Sequence, residues 1–403
     1  MASQPFKYAT LTARTNFMDG TANAAGHRLL VVTESLGIGG TESHLIRLLR
    51  PLATRGWDTI VCCITERGSR AHLLEAAGIR VIGSPRPKDL RALLRRNPTT
   101  IALAANRLFW LLRRWRPQIV HFYLPGPYLV GAPLAIAAGV PIKIMSRRSL
   151  SCYRQRRPFL SRIEPALHRH MDAVIGNSRA VVSELESEGI ASDKIRLIYN
   201  GIEPSVLPDR VEARRRLDLD PGTLVGLVVA NLNSYKGHTD LIEALGQISE
   251  RLPAGWRVLC AGRDQGFQSK LERLAAERGV KTNVRFLGEY TDVPALLAGA
   301  DFSVLSSWEE GFSNVILESM SARLPMIVTD VGGNPEAVVD GETGVVVPPH
   351  NPSVLGQAIL RLACDAGLRD RLGGAGQKRV EQDFSIERCV ASHHALYEEL
   401  LLR

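Results

Sequence analysis

The 403-residue sequence has few cysteines and no long uninterrupted apolar segment. Its six cysteines have neither the paired spacing of a metal site nor the density of a disulfide scaffold, so we expect buried, reduced thiols. The longest apolar stretch begins at Tyr128, is interrupted by Pro133, Pro141 and Lys143, and is shorter than the roughly 20 residues of a membrane-spanning helix. Residues 1–27 lack an apolar signal core. These absences predict a cytoplasmic protein with a mobile N-terminal tail and no transmembrane segment.

Acidic residues are scarce in the first half of the chain. Residues 1–203 contain 29 lysines and arginines against 14 aspartates and glutamates, whereas the remainder contains 21 against 27. The net charge of +9 therefore arises in the first half. Such a surface suits a phosphorylated substrate, an anionic membrane or nucleic acid, or it is an ordinary solvated helix face. Because aromatic residues are only 6% of the chain and no nucleic-acid-reading module is present, we predict no nucleic-acid partner.

Short apolar segments alternate with helical patterns along most of the chain. The alternation lapses once, in a segment rich in proline and charge, and then resumes. This pattern predicts an α/β fold of two Rossmann-like domains that face each other across a cleft. The predicted parts are a tail (1–27), an N-terminal domain (28–203), a linker (204–223), a C-terminal domain (224–383) and a final amphipathic helix (384–403) that packs back across the domains. Ligands of such sheets bind beyond the carboxyl ends of the strands, so we expect the site in the cleft.

A first glycine-rich turn follows the first predicted strand and precedes a helix. It contains Gly37, Gly39 and Gly40, which permit a phosphate to approach the backbone N–H groups of the helix N-terminus. A nicotinamide dinucleotide is the alternative ligand, because Glu66 ends the next strand about where a ribose-binding acid is expected. The sixth position of that fingerprint is Glu42 instead of glycine, however, which disfavours the dinucleotide.

A second turn, SWEEGF, leads from an apolar strand into a helix. The helix N-terminus offers backbone N–H donors for a phosphate, and the carboxylates of Glu310 and Glu318 can accept hydrogen bonds from hydroxyl groups. A phosphate joined to a polyol is the chemistry of a nucleotide sugar. The alternative is that both glutamates are merely solvated.

The segment EEGFSNVILESMSARLPMIVTDVGGNPEAVVDGETGVVVPP closely resembles the signature of the retaining, nucleotide-sugar-dependent glycosyltransferases of the GT-B fold (glycosyltransferase family 4, glycosyl transferases group 1). The family's hallmark is two glutamates separated by seven residues, here Glu310 and Glu318. Other segments follow in the family's order, among them GIGGTESHLIRLLRPLATRGWDTIV, VIGNSRAVVSEL and VVANLNSYKGHTDLIEAL. The resemblance covers the chain from about residue 28 to about residue 400.

The resemblance implies a donor site in the C-terminal domain. Glu310 would contact the hydroxyls of the donor sugar and Glu318 the ribose. The sugar and diphosphate would also meet main-chain groups of Gly311, Phe312, Ser313, Asn314 and Val315. Lys236 matches the second member of the family's basic pair, but Asn231 replaces the arginine of the first. Lys236 would then carry more of the leaving-group charge, helped by helix N-termini and by Gly39 and Gly40.

The resemblance also implies contacts from the N-terminal domain, which takes the acceptor. Of the family's histidine pair, His121 keeps the first position and Tyr123 replaces the second. His121 would contact the donor sugar or position the acceptor, or else it is a hydrogen-bonded residue at a strand end. Arg147 and Arg148 are candidates for an acceptor phosphate, or they belong to a solvated loop. We predict His121, Lys236 and Glu310 as the catalytic residues, with Glu310 a binding group and not a nucleophile.

The implied reaction transfers a sugar from a nucleotide diphosphate, a UDP-sugar more readily than a GDP-sugar, to a saccharide or polyprenyl-linked acceptor with retention of configuration. Surface polysaccharide synthesis at the inner face of the plasma membrane is the expected setting. We predict no cofactor and no metal, since Asp218 and Asp220 lie in the linker as solvated carboxylates. The alternatives are a nucleotide-sugar epimerase or hydrolase, and a catalytically silent nucleotide-sugar-binding protein, which the replacements at Asn231 and Tyr123 would suit.

Overall fold

The computed structural model describes residues 26–84, 98–150, 158–204 and 206–403. Residues 1–25 of the predicted tail, residues 151–157 of the basic segment and residue 205 of the predicted linker lie outside the described residues.

The N-terminal domain is a parallel seven-stranded sheet with the order β3-β2-β1-β4-β5-β6-β7. Its strands are apolar and almost wholly buried, because helices cover both faces of a parallel sheet. The strands are β1 (His27–Thr33), β2 (Trp57–Glu66), β3 (Arg80–Ser84), β4 (Ile119–Tyr123), β5 (Ile142–Arg147), β6 (Ala173–Gly176) and β7 (Ile195–Leu197). The described helices are α1 (Gly40–Ala53), α2 (Ala71–Glu75), α3 (Pro98–Trp115), α4 (Pro125–Ala137), α5 (Pro158–His168) and α6 (Arg179–Ser187).

The C-terminal domain is a parallel six-stranded sheet with the order β10-β9-β8-β11-β12-β13. Its strands are β8 (Val225–Val229), β9 (Arg257–Ala261), β10 (Val284–Gly288), β11 (Phe302–Leu305), β12 (Met326–Thr329) and β13 (Gly344–Val347). The helices from the linker onward are α7 (Arg210–Arg216), α8 (His238–Ile248), α9 (Gln268–Glu277), α10 (Val293–Gly299), α11 (Asn314–Ser321), α12 (Asn334–Ala337), α13 (Pro352–Cys364), α14 (Ala366–Asp383) and α15 (Ile386–Leu401). Two Rossmann-like halves are thus present, and the predicted fold class is confirmed.

The segment predicted as a linker is partly helical. Helix α7 occupies its middle, and the side chain of Arg214 is buried against the C-terminal domain. Its guanidinium donates hydrogen bonds to the carbonyl oxygen of Gly299 at 3.1 Å and to the carboxylate of Asp301 at 2.9 Å. Asp218 and Asp220 are exposed. The segment from residue 209 onward therefore packs as part of the C-terminal domain.

The last helix, α15, returns to the N-terminal domain. Its apolar face, including Ile386, Leu396 and Tyr397, is buried in the same core as the strand residues Leu29 and Ile119. The chain thus crosses between the domains a second time before it ends. No helix in the described parts of the chain is long and apolar enough to cross a bilayer.

Candidate functional site

Two turns of the C-terminal domain meet beyond the carboxyl ends of β8 and β11. The backbone N–H of Trp308 donates to the carbonyl oxygen of Tyr235 at 2.7 Å, and the hydroxyl of Ser306 donates to the carbonyl oxygen of Gly237 at 3.0 Å. Gly237 has a φ of +65°, and a Cβ there would overlap the carbonyl oxygen of Ser306. The close approach of the turns therefore requires glycine at residue 237.

This approach brings together two residues that the sequence predicted as catalytic. The ammonium of Lys236 lies 2.6 Å from Oε1 of Glu310, which also accepts a hydrogen bond from the hydroxyl of Ser307 at 2.7 Å. Burial lowers the pKa of Lys236, but the carboxylate of Glu310 raises it more in combination with Tyr235, so the net pKa is above its usual value. Lys236 is therefore a cation, and in the structure its charge is paired with Glu310.

The other glutamate of the pair, Glu318, lies one turn into α11 and faces the N-terminal domain. Its Oε1 atom accepts a hydrogen bond from Nη2 of Arg47, on α1, at 2.6 Å. The two side chains are 18% and 25% exposed, so this interdomain ion pair is largely shielded from water. A polyol that hydrogen-bonds to Oε1 of Glu318 would have to displace Arg47.

Further contacts join the turn before α11 to the N-terminal domain. The amide nitrogen of Asn314 donates to the carbonyl oxygen of Gly40 at 2.8 Å. The amide nitrogen of Asn200 donates both to the carbonyl oxygen of Phe312 at 3.0 Å and to Oδ1 of Asn314 at 2.8 Å. A Cβ on Gly311 would overlap the backbone carbonyl of Arg148. The predicted donor turn thus lies directly against the predicted acceptor domain.

The first turn of α1, which follows the first glycine-rich loop, carries a partly buried carboxylate. The side chain of Glu42 folds back over Gly39, the N-cap of α1. Burial raises the pKa of Glu42, and the opposing effects of its own backbone N–H and of Arg148, Arg70 and Arg263 are smaller. Since Arg263 belongs to the C-terminal domain, Glu42 faces the cleft.

Asn231 follows β8, as predicted, and its side chain is engaged. Its Oδ1 atom accepts a hydrogen bond from the backbone N–H of Arg263, which follows the neighbouring strand β9, at 3.1 Å. The amide therefore connects two loops at the sheet edge through an acceptor oxygen, which an arginine side chain does not have. Its use in donor binding stays a prediction.

The structure does not place His121 in the cleft, and its predicted contact with a substrate stays a prediction without structural support. Its ring is fully buried, with Nδ1 2.8 Å from the hydroxyl of Tyr397 and Nε2 2.8 Å from the hydroxyl of Ser146. Burial lowers the pKa of His121 well below its usual value, so the ring is neutral. His121 joins β4 to β5 and α15, which is the hydrogen-bonded strand-end role given above as the alternative.

Arg147 faces neither the cleft nor solvent, so both alternatives that the sequence offered for it are wrong. Its side chain is 1% exposed and donates to the carboxylates of Glu164 at 2.7 Å and Glu188 at 2.6 Å. These buried carboxylates satisfy the guanidinium charge and tie β5 to α5 and α6. Arg148 instead points between the domains and donates to Oδ1 of Asn200 at 2.9 Å, so it stays a candidate for the acceptor side.

Several residues near the cleft were missed at the level of sequence, notably Arg70 and the interdomain residues Arg47, Asn200 and Glu336. The carboxylate of Glu336 accepts hydrogen bonds from the backbone N–H groups of Arg179 at 2.8 Å and Ala180 at 3.0 Å. The sequence contained a weak indication for Arg47. It lies one helical turn after Ser43, so both side chains are on the same face of α1, the helix that follows the glycine-rich loop. The partners of the other three lie far away in sequence.

Two family models match consecutive parts of the chain. Residues 38–206 match Glycosyltransferase Family 4, and residues 209–379 match Glycosyl transferases group 1. The chain belongs to the GT-B glycosyltransferases. The predicted family is confirmed, and so is the general activity of glycosyl transfer.

Relatives of this glycosyltransferase align with most of its length. A glycogen synthase of Mycobacterium tuberculosis (strain ATCC 25618 / H37Rv) is 28% identical, and the alignment covers 89% of this chain and 91% of the relative. A D-inositol 3-phosphate glycosyltransferase of Corynebacterium diphtheriae is 26% identical, with 84% of each chain covered. Among solved structures, Anabaena Alr3699/HepE in complex with UDP and glucose superposes with a TM-score of 0.80 at 22% identity, covering 93% of this chain and all of that one. The last comparison supports the fold alone.

Proposed function

We propose that this glycosyltransferase takes its sugar from a nucleotide diphosphate donor and transfers it, with retention of configuration, to a saccharide or lipid-linked acceptor. The observation that carries the proposal is the meeting of Lys236, Glu310 and the N-terminus of α11 at one sheet edge, with Glu318 one turn further on. A cation and backbone N–H groups suit a diphosphate, and two carboxylates suit sugar and ribose hydroxyls.

The ion pairs of the site suggest how a donor is received. Lys236 exchanges the carboxylate of Glu310 for the diphosphate, and its positive charge then stabilises the leaving group as the glycosidic bond breaks. Glu310 is left to accept hydrogen bonds from sugar hydroxyls. Because Oε1 of Glu310 already lies between Lys236 and Ser307, it is better placed as a binding group than as a nucleophile.

The burial of His121 leaves electrostatics and positioning as the main catalytic means in this proposal. The departing phosphate oxygen receives the proton of the acceptor hydroxyl on the same face from which it leaves, so configuration is retained. The protein holds the two substrates together and stabilises the charge on the diphosphate. We infer a UDP-sugar as the donor, in keeping with the UDP complex of the Anabaena neighbour.

The acceptor part of the proposal rests on charge. The excess of lysine and arginine lies in residues 1–203, the half that would face an acceptor carried on an anionic membrane at the inner face of the plasma membrane. Sedimentation with liposomes at low and high salt tests this part. We expect binding to anionic vesicles that salt abolishes, and no binding at low salt contradicts peripheral attachment.

The donor site is tested by thermal unfolding with UDP, GDP and their sugar conjugates, without added metal. We expect UDP and one UDP-sugar to raise the Tm of the wild type, since a ligand at 100 times its Kd adds about 2.7 kcal/mol to the free energy of unfolding. The variant Glu318→Ala should lose this shift. The matched control is Glu277→Ala, an exposed glutamate on α9, which should keep it.

The outcomes separate the candidate functions. A shift in the wild type that persists in Glu318→Ala contradicts the assigned donor site, and no shift with any nucleotide contradicts nucleotide-sugar dependence. Consumption of the bound nucleotide sugar without any acceptor indicates a hydrolase or an epimerase instead of a transferase.

A further inference from the structure

A second polar cluster lies on the N-terminal side of the cleft, across from the donor turn. We call Ser43, Arg47 and Arg70 the α1 anion cluster. Ser43 and Arg47 are one turn apart on α1, and Nη1 of Arg70 donates to the hydroxyl of Ser43 at 2.7 Å. The backbone N–H of Arg70 donates to the carbonyl oxygen of Leu36 at 2.9 Å, which holds the loop before α2 against the loop before α1. The hydrogen bond between these two loops therefore holds the residues of the cluster in place.

The hydrogen-bonding capacity of Arg47 is only partly used. Its Nη2 atom donates to Glu318, whereas its Nη1 atom is buried and has no hydrogen-bond partner among the described residues. Burial of a guanidinium N–H group without an acceptor destabilises the protein. The guanidinium of Arg47 can therefore donate a hydrogen bond to a further oxygen ligand.

The charges of the two arginines of the cluster act on each other. Burial lowers the pKa of Arg70, and the positive charge of Arg47 lowers it further, whereas Glu42 and Glu318 act in the opposite direction. Two guanidinium groups whose charges act on each other attract an anion with more than one charged oxygen.

We propose that Ser43, Arg47 and Arg70 bind a phosphate group carried by the acceptor. This inference rests on the proposed function, since it takes Glu318 to be the ribose ligand of the donor. Donor binding engages Glu318 and releases Nη2 of Arg47, so that the planar fork of Arg47 can meet the phosphate beside Arg70. The donor therefore binds first and completes the acceptor site.

The donor's own diphosphate is the other source of such an anion. It is assigned to Lys236 and the N-terminus of α11, with Gly39 and Gly40 at the start of α1 as predicted helpers. The α1 anion cluster lies at least one turn further along α1 and at the start of α2. An acceptor phosphate and the donor diphosphate can then be bound at the same time. Simultaneous binding of phosphate and UDP therefore distinguishes an acceptor phosphate from the donor diphosphate.

The experiment is calorimetric titration of the full chain with inorganic phosphate, alone and with saturating UDP. We expect weak binding alone and binding about tenfold tighter with UDP, because UDP removes Glu318 as the competitor for Arg47. The variant Glu318→Gln should bind phosphate more tightly than the wild type in the absence of UDP. The variant Arg70→Gln should lose phosphate binding but keep its affinity for UDP, and Arg50→Gln, exposed on the same helix, should behave as the wild type.

Three results overturn the proposal. If phosphate competes with UDP, it occupies the diphosphate site. If phosphate binding survives in Arg70→Gln, the phosphate binds elsewhere. If the phosphate affinity of Glu318→Gln is unchanged, donor binding does not act by releasing Arg47. If the wild type does not bind UDP, the proposed donor site fails, whereas the titrations of Glu318→Gln and Arg70→Gln with phosphate alone still decide the anion site.

Discussion

At the scale of single residues, the site requires glycine at residue 237 because a side chain there would overlap neighbouring backbone atoms. Gly237 separates Lys236 from α8 at a φ of +65° and lies against the carbonyl oxygen of Ser306. Any side chain there meets backbone atoms, which cannot move aside as the end of a flexible side chain can. The position of Lys236 beside Glu310 therefore depends on the absence of a neighbouring Cβ.

We predict that Gly237→Ala lowers the free energy of unfolding by about 3 kcal/mol or more, since the left-handed backbone and the overlap both contribute. Urea unfolding measures this loss, and UDP binding should weaken with it. The matched control is Gly279→Ala, at a φ of +70° with no atom within 4 Å of its Cβ. That variant should lose only about 1 kcal/mol, and equal losses in the two variants contradict the steric explanation.

At the scale of elements, the two domains share a helix cap. The first turn of α6, in the N-terminal domain, is capped from within by Ser178 and from the C-terminal domain by Glu336. The hydroxyl of Tyr199 also donates to Glu336, at 2.8 Å. Glu336 lies on α12, and the backbone N–H of Gly333, directly before α12, donates to the carbonyl oxygen of Gly311 in the proposed donor turn. The cap therefore fixes the position of this turn relative to the N-terminal domain.

We predict that Glu336→Ala lowers the free energy of unfolding by about 2 kcal/mol, because it leaves charge-assisted hydrogen bonds to two backbone N–H groups unmade. Affinity for UDP should stay within twofold of the wild type, since the donor contacts lie elsewhere. Urea unfolding and calorimetry measure the two quantities. The exposed residue Glu381 provides the control, and a Glu336→Ala variant as stable as Glu381→Ala contradicts the shared cap.

At the scale of the whole molecule, distant parts of the chain form one buried histidine cluster. His44 of α1, His121 of β4 and His393 of α15 pack with ring centroids 5.9 Å apart (His44 to His393) and 6.1 Å apart (His121 to His393). Burial lowers the pKa of all three, and that of His393 to about 4. The neutral forms of these rings are part of the folded state, so acid must weaken it.

We predict that stability falls as the pH is lowered from about 6.5 towards 4. In this window the unfolded chain, whose histidines titrate near pH 6.5, binds more protons than the folded protein, and His393 alone accounts for about 2 kcal/mol at pH 5. Urea unfolding at pH 7.5 and pH 5 measures the decline. The variant His393→Gln should show a smaller decline than the wild type, and His170→Gln, at an exposed site, the same decline. An equal decline in all three proteins contradicts this role of His393.

The sequence by itself determined the fold class, the family and the residues of the proposed donor turn. Apolar strand patterns and glycine turns are local features. Lys236 and Glu310 lie in turns that follow such strands, and Glu318 lies one turn into the helix that comes next. The parallel sheet then brings these turns to one edge without further information. The charge and polarity of the donor site follow from the same local segments.

Only the tertiary structure decided which way His121 and Arg147 face and what Glu318 contacts. His121 is bonded to Tyr397, 276 residues away, and Glu318 to Arg47, 271 residues away. Arg147 is neutralised by the carboxylates of Glu164, on α5, and Glu188, directly after α6. A polar side chain at a strand end can face either the cleft or the core, and its choice depends on whether a partner from elsewhere in the chain compensates the cost of burial.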